Sequence, residues 1–125
     1  MTKPLRVLLV EDSERDAALV KLYLRRGGFD ATVHRVETAE EMAAVLQAEE
    51  FDIVISDLNL PRFDARAALA VLQQSRRPIP LIVLTGDVDR RSIDGLLDAG
   101  AAQVLFKYEM SQVAAVIERA VQGGS

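Results

Sequence analysis

DIVISDLNLP, residues 52–61, begins as a run of β-branched apolar residues and stops on a carboxylate, Asp57. Such a run suits the middle of a parallel strand covered on both faces. An acid is among the residues least tolerated in a core, so Asp57 marks where the strand leaves it. Three more runs end in a similar way. RVLLVED (6–12) closes on Glu11 and Asp12, PLIVLTGD (80–87) reaches Thr85 before Gly86, and AQVLFK (102–107) closes on Lys107. One arrangement should explain all four endings.

Along the chain, apolar β-branched segments alternate with amphipathic ones, the pattern of helices laid over both faces of a parallel sheet. Strands are predicted near 5–10, 31–36, 52–57, 80–85 and 102–107. Ser13 caps a first helix with apolar Ala17, Val20 and Leu24, closed by Gly27 and Gly28. Thr38 and Glu41 form a capping box before a second helix carrying Met42, Val45 and Leu46. A third helix over about 64–75 stops at RRPIP (76–80), a fourth from about 88 ends at Gly100, and a fifth spans about 110–122 before a flexible tail at 122–125. The expected fold is a single doubly wound α/β domain over residues 1–125 with five parallel strands. In such sheets ligands sit outside the carboxyl ends of the strands, and all four polar endings would emerge at that edge.

Composition narrows the chemistry. Half of the 125 residues are hydrophobic, enough for one core. With 19 acids against 15 lysines and arginines the surface is mildly acidic, so neither nucleic acid nor an anionic membrane is expected as a partner. The absence of cysteine excludes disulfides and thiolate sites, and a lone histidine, His34, excludes a multi-histidine metal site. No run approaches membrane length and the basic start is too short for a signal peptide, which points to a soluble cytoplasmic protein.

Carboxylates from Glu11, Asp12 and Asp57 gathered about 4–5 Å apart would repel by roughly 3–4 kcal/mol per pair at an effective dielectric near 20. One lysine offsets only part of this. A hard divalent cation, Mg²⁺ or Mn²⁺, is the natural complement and leaves room for a phosphoryl oxygen. Asp57 is then a nucleophile toward phosphorus, Lys107 a counter-charge and Thr85 a hydrogen-bond donor to an equatorial oxygen.

LLVEDSERD, VISDLNLP, VLTGD and VLFK, in that order across nearly the whole chain, resemble the receiver domain of two-component response regulators, the CheY-like domain. The resemblance implies a flavodoxin-like sheet in the order 2-1-3-4-5, in which Asp57 accepts a phosphoryl group from a sensor histidine kinase or histidine phosphotransfer protein. It implies Asp12 as a direct metal ligand, Glu11 as its water-mediated companion, and Asn59 as a ligand through its backbone carbonyl. Thr85 would be the switch hydroxyl and Lys107 the phosphoryl-contacting lysine, while Asn59 and Asp87 would flank the attacking water. The expected protein is a stand-alone receiver, monomeric or weakly dimeric, with no enzymatic or DNA-binding output, that docks to a downstream protein in one of two states. The alternative is a phosphorylation-independent receiver serving as a constitutive docking module. Two rivals are weaker: a haloacid dehalogenase-like phosphohydrolase lacks its general acid because Asn59 stands there, and a flavin phosphate would meet the acids of EDSERD (11–16).

Several positions depart from that pattern. Tyr108 follows Lys107 where the family usually has a cis proline; a cis bond without proline costs about 3 kcal/mol, so a trans bond, an altered exit loop and an earlier start to the last helix are expected. Val104 stands where a switch aromatic is common, leaving Phe106 or Tyr108 as substitutes, or Phe106 as plain packing. Ala65 after Asp64 predicts a turn without positive φ. Arg62, Arg90 and Arg91 are candidates for meeting an acidic or phosphorylated partner, whereas Arg76 and Arg77 read as a solvated turn.

Overall fold

The computed structural model describes residues 3–58, 64–86 and 90–123, excepting the side chains of residues 90, 92, 122 and 123. Five parallel strands, β1 (Lys3–Val10), β2 (Phe29–Val36), β3 (Ile53–Asp57), β4 (Leu81–Thr85) and β5 (Gln103–Phe106), form one sheet in the order β2-β1-β3-β4-β5. Its helices are α1 (Glu14–Arg26), α2 (Ala39–Ala48), α3 (Ala65–Gln74), α4 (Arg90–Ala99) and α5 (Val113–Gly123). The flavodoxin-like order 2-1-3-4-5 that the family resemblance implies is the order observed.

Two-residue alternation divides the strands between two cores. Val7, Leu9, Ile53, Ile55, Ile82, Leu84 and Leu105 face α1 and α5, where they meet Val20, Leu24, Val113 and Ile117. Leu8, Val10, Val54, Leu81 and Val83 face the other way, onto Met42, Leu46, Leu69, Leu72 and Leu96 of α2, α3 and α4. Burying such a side chain stabilises the fold by about 1.5–3 kcal/mol, and a one-residue slip would turn each strand's set inside out.

The helix ends follow local chemistry. The Ser13 hydroxyl accepts from the Asp16 N–H at 3.2 Å, and the Asp64 carboxylate accepts from the Ala67 N–H at 2.9 Å. Asp64 lies at φ −88° and Ala65 is already helical, so that turn needs no positive φ. At α2 the Thr38 hydroxyl accepts from the Glu41 N–H, but the Glu41 carboxylate accepts from the N–H of Glu37 rather than of Thr38, a capping box displaced by one residue. Gly27 closes α1 where a Cβ would collide with that of Ala114, which lets α1 and α5 touch.

The Lys107–Tyr108 bond is trans, and the chain coils at once into a 3₁₀ turn, Lys107–Gln112, that runs into α5. Coiled backbone therefore starts at Lys107, three residues ahead of the predicted 110, and kinks at Glu109 (φ −103°, ψ 20°) on its way into α5. The rings of Phe106 and Tyr108 stack, centroids 5.3 Å apart and planes 8° from parallel, with Tyr108 largely in solvent. No helix among the described residues is long and apolar enough to cross a membrane.

Candidate functional site at the carboxyl edge of the sheet

Alternation carries beyond the strand ends and selects which polar residues meet. Asp57 continues the Ile53–Ile55 face, Lys107 continues Leu105, and Glu11 continues Val7 and Leu9. Glu11 stays in register because its N–H still donates to the Val36 carbonyl at 3.1 Å, one step past β1. All three side chains thus emerge toward α1 and the start of α5.

There the Lys107 Nζ donates to Asp57 Oδ2 at 2.9 Å and to Asp16 Oδ2 at 3.1 Å. Asp57 is 8% exposed and Glu11 only 2%. Carboxylate oxygens of Glu11, Asp16 and Asp57 all lie within 4.8 Å of one another, a set of hard oxygen donors that suits a divalent ion. Burial strips water from the Glu11 carboxylate and pushes its pKa up to about 7. The Ser13 N–H, donating to Oε2 at 3.2 Å, opposes that shift, the neighbouring Asp57 charge adds to it, and Lys107 reduces it. For Lys107, burial works against the ammonium, yet the hydrogen bonds and charges of Asp57 and Asp16 hold its pKa above the ordinary lysine value.

Thr85 is fully buried at the end of β4, one residue past Leu84, which pairs with Asp57. The structure does not bring Asp12 into the convergent group. Its side chain is exposed just past the end of the β1 ladder. Asn59, Asp87 and Arg62 lie outside the described residues. Val104 is half-buried and packs against the core of α2, α3 and α4, on the face opposite Leu105.

Asp16 was not among the expected site residues. An acid in the first turn of a helix is accounted for by the macrodipole alone, which hides any second use. The signal was nonetheless present: Ser13 as N-cap fixes Asp16 in that first turn, and helical side chains lean toward the N-terminus, here toward the mouth of the sheet.

Known proteins provide an independent comparison. Residues 7–118 match the family described as "Response regulator receiver domain". The chain is 28% identical over 120 residues to the cell cycle transcriptional regulator CtrA of Caulobacter vibrioides, covering 92% of this chain but 51% of that protein, so it spans about half the length of that relative. It superposes on the signal receiver domain of a signal transduction histidine kinase from Syntrophus aciditrophicus with a TM-score of 0.79 and 29% identity, covering 95% of this chain and 91% of the other. The Mn²⁺-bound form of the response regulator Rcp1 aligns with a TM-score of 0.74 and 26% identity, covering 93% of each chain. With this match spanning most of its length, and with strand order and carboxyl-edge geometry in agreement, the chain belongs to the receiver domain family of two-component response regulators.

Proposed function

We propose that the chain accepts a phosphoryl group on Asp57 in a divalent-metal-dependent reaction and signals by protein–protein docking. The observation that carries this reading is the Lys107 ammonium, 2.9 Å from the Asp57 carboxylate, among converging acids at the open edge of the sheet. Metal ligation would fall to Glu11 and Asp57, joined by Asp12 and the Asn59 carbonyl on the family likeness. Mg²⁺ or Mn²⁺, when bound, supplies the charge neutralisation that lets a phosphoryl group approach three acids. The Mn²⁺-bound form of Rcp1 supports that choice.

The protein's own residues do the rest. An Asp57 carboxylate oxygen bonds to phosphorus as the P–N bond to a donor imidazole breaks, and the electron pair leaves with the nitrogen. Lys107 holds the non-attacking oxygen of Asp57 and turns its remaining protons to the phosphoryl oxygens. Thr85 supplies a hydroxyl at the neighbouring strand end. The product adds a doubly charged group to the rim, which biases a local two-state element that a partner reads. A sensor kinase or histidine phosphotransfer protein is the proposed donor.

Incubation with acetyl phosphate followed by a phosphate-affinity gel tests this. The wild-type chain should shift with Mg²⁺ and not with EDTA, and Asp57→Asn should not shift. An unshifted wild type would favour the constitutive docking module instead.

A further inference from the structure

Lys107 has two carboxylate partners, and only one belongs to the reacting pair. Asp16 reaches it across the site from α1, at 3.1 Å, with both side chains about one-third exposed (34% and 33%). We propose, building on the phosphoacceptor reading, that Asp16 is a positioning residue that holds the Lys107 ammonium at the rim before, during and after phosphoryl transfer.

Lys107 opens a 3₁₀ turn and reaches the site on a four-carbon stem, so its ammonium is only as well placed as its partners make it. Before transfer Asp57 and Asp16 fix it together. During transfer Asp57 gives up its charge to form an acyl oxygen, and Lys107 loses one anchor as the phosphoryl oxygens arrive. Asp16 stays an anion through that exchange and keeps the ammonium beside the incoming group. A helix-dipole acid needs no such partner, and the hydrogen bond to Lys107 is what separates Asp16 from Glu14, which is 90% exposed in the same turn.

Initial rates of acetyl phosphate labelling at saturating Mg²⁺ provide the test, with Asp16→Asn, Asp16→Glu, Lys107→Ala and the double variant Asp16→Asn/Lys107→Ala. Loss of a partly screened anchor should slow Asp16→Asn by about two- to fivefold. Asp16→Glu should recover most of the rate, the Mg²⁺ concentration for half-maximal rate should stay put, and Asp16→Asn should cost nothing further once Lys107 is alanine. A wild-type rate in Asp16→Asn, an equal loss in the Lys107→Ala background, or a raised Mg²⁺ requirement would each overturn the proposal, the last by making Asp16 a metal ligand. ¹⁵N relaxation of the Lys107 ammonium judges Asp16 even if the wild type does not label. The ammonium should be ordered in the wild type and mobile in Asp16→Asn, and unchanged motion would count against the positioning role whatever the labelling shows.

Discussion

The two edges of the sheet both gather charge, and they treat it differently. Where β3 and β4 begin, acids and bases are matched. Glu49 accepts from the Arg6 guanidinium at 3.3 Å and pairs with His34 Nδ1 at 2.9 Å, Asp52 accepts from the Arg6 N–H at 2.8 Å, and the Arg77 guanidinium donates to the Glu49 carbonyl. Phe51 lies beneath Arg6, its ring centroid 6.0 Å from the guanidinium, and meets His34 edge-on. Among the described residues, Glu11, Asp16 and Asp57 gather at the opposite edge, where the Lys107 ammonium donates to Asp57 and Asp16, and the most buried acid, Glu11, lies beside their charge. The matched edge joins β1, β2 and α2 and leaves little for a ligand to do. The unmatched edge is held together at a cost that only a cation or a proton can relieve, which is the physical signature separating a site from a structural ion-pair network.

The same substitution, Glu to Gln, placed at each edge should therefore change stability in opposite directions. The largest effect is expected for Glu11→Gln in metal-free protein. Glu11 has an ordinary value of 4.5 and a folded value of about 7, so between those pH values the folded state holds a proton that the unfolded chain has released. Stability then falls as pH rises through that window, and above it the full cost of a buried carboxylate remains. The glutamine variant carries no such cost. It should match the wild type near pH 4 and exceed it by about 1–3 kcal/mol at pH 8, read by urea unfolding across pH. On the proposed metal role of Glu11, Mg²⁺ should stabilise the wild type more than the variant, which lacks that carboxylate. A variant less stable than wild type at pH 8 without metal would show that the carboxyl edge is balanced after all.

How much of this was legible beforehand depended on which rule governed each residue. Strand positions follow from the β-branched apolar runs and sheet order from the family resemblance, and Ala17, Val20 and Leu24 of α1 are the buried residues their spacing predicted. Asp57 and Lys107 could be placed together because both continue a buried strand face. Asp12 and Asp16 show the limit. Strand ends do not say which of two adjacent acids turns into a site, and Glu11 and Asp12 diverge into the most buried acid and an exposed one. Asp16 depends on the rotation of α1 over the sheet, a tertiary quantity fixed by contacts such as Gly27 against Ala114 rather than by any local pattern. The early coiling after Lys107 was readable, since it needed only the absence of proline, whereas the stacking of Tyr108 on Phe106 was not.

At the other edge, Glu49→Gln should destabilise, by about 0.5–1.5 kcal/mol, because it weakens two contacts at once while leaving Arg6 and His34 in place. The loss should shrink at high salt, since the Arg6 side chain is 49% exposed and its pair with Glu49 is screened. Urea unfolding in low and in 1 M NaCl measures both statements. A stabilised Glu49→Gln variant would erase the contrast with Glu11.

The smallest effect is expected for Arg6→Met. Its guanidinium stands at the outer limit for attraction to the Phe51 ring and makes a screened bond to Glu49, each worth a fraction of a kcal/mol at such a site. Methionine keeps an apolar stem over the ring, and the Arg6 backbone N–H that Asp52 accepts is untouched by the change. A cost of about 0.3–0.8 kcal/mol with an unchanged denaturant slope follows, against a larger change of opposite sign at Glu11. That asymmetry is the point of the measurement. In a matched network the loss of one member is spread over the remaining pairs, whereas at the crowded edge the buried Glu11 carboxylate accepts from the Ser13 N–H yet stands against the Asp57 charge, and removing its own charge relieves the group.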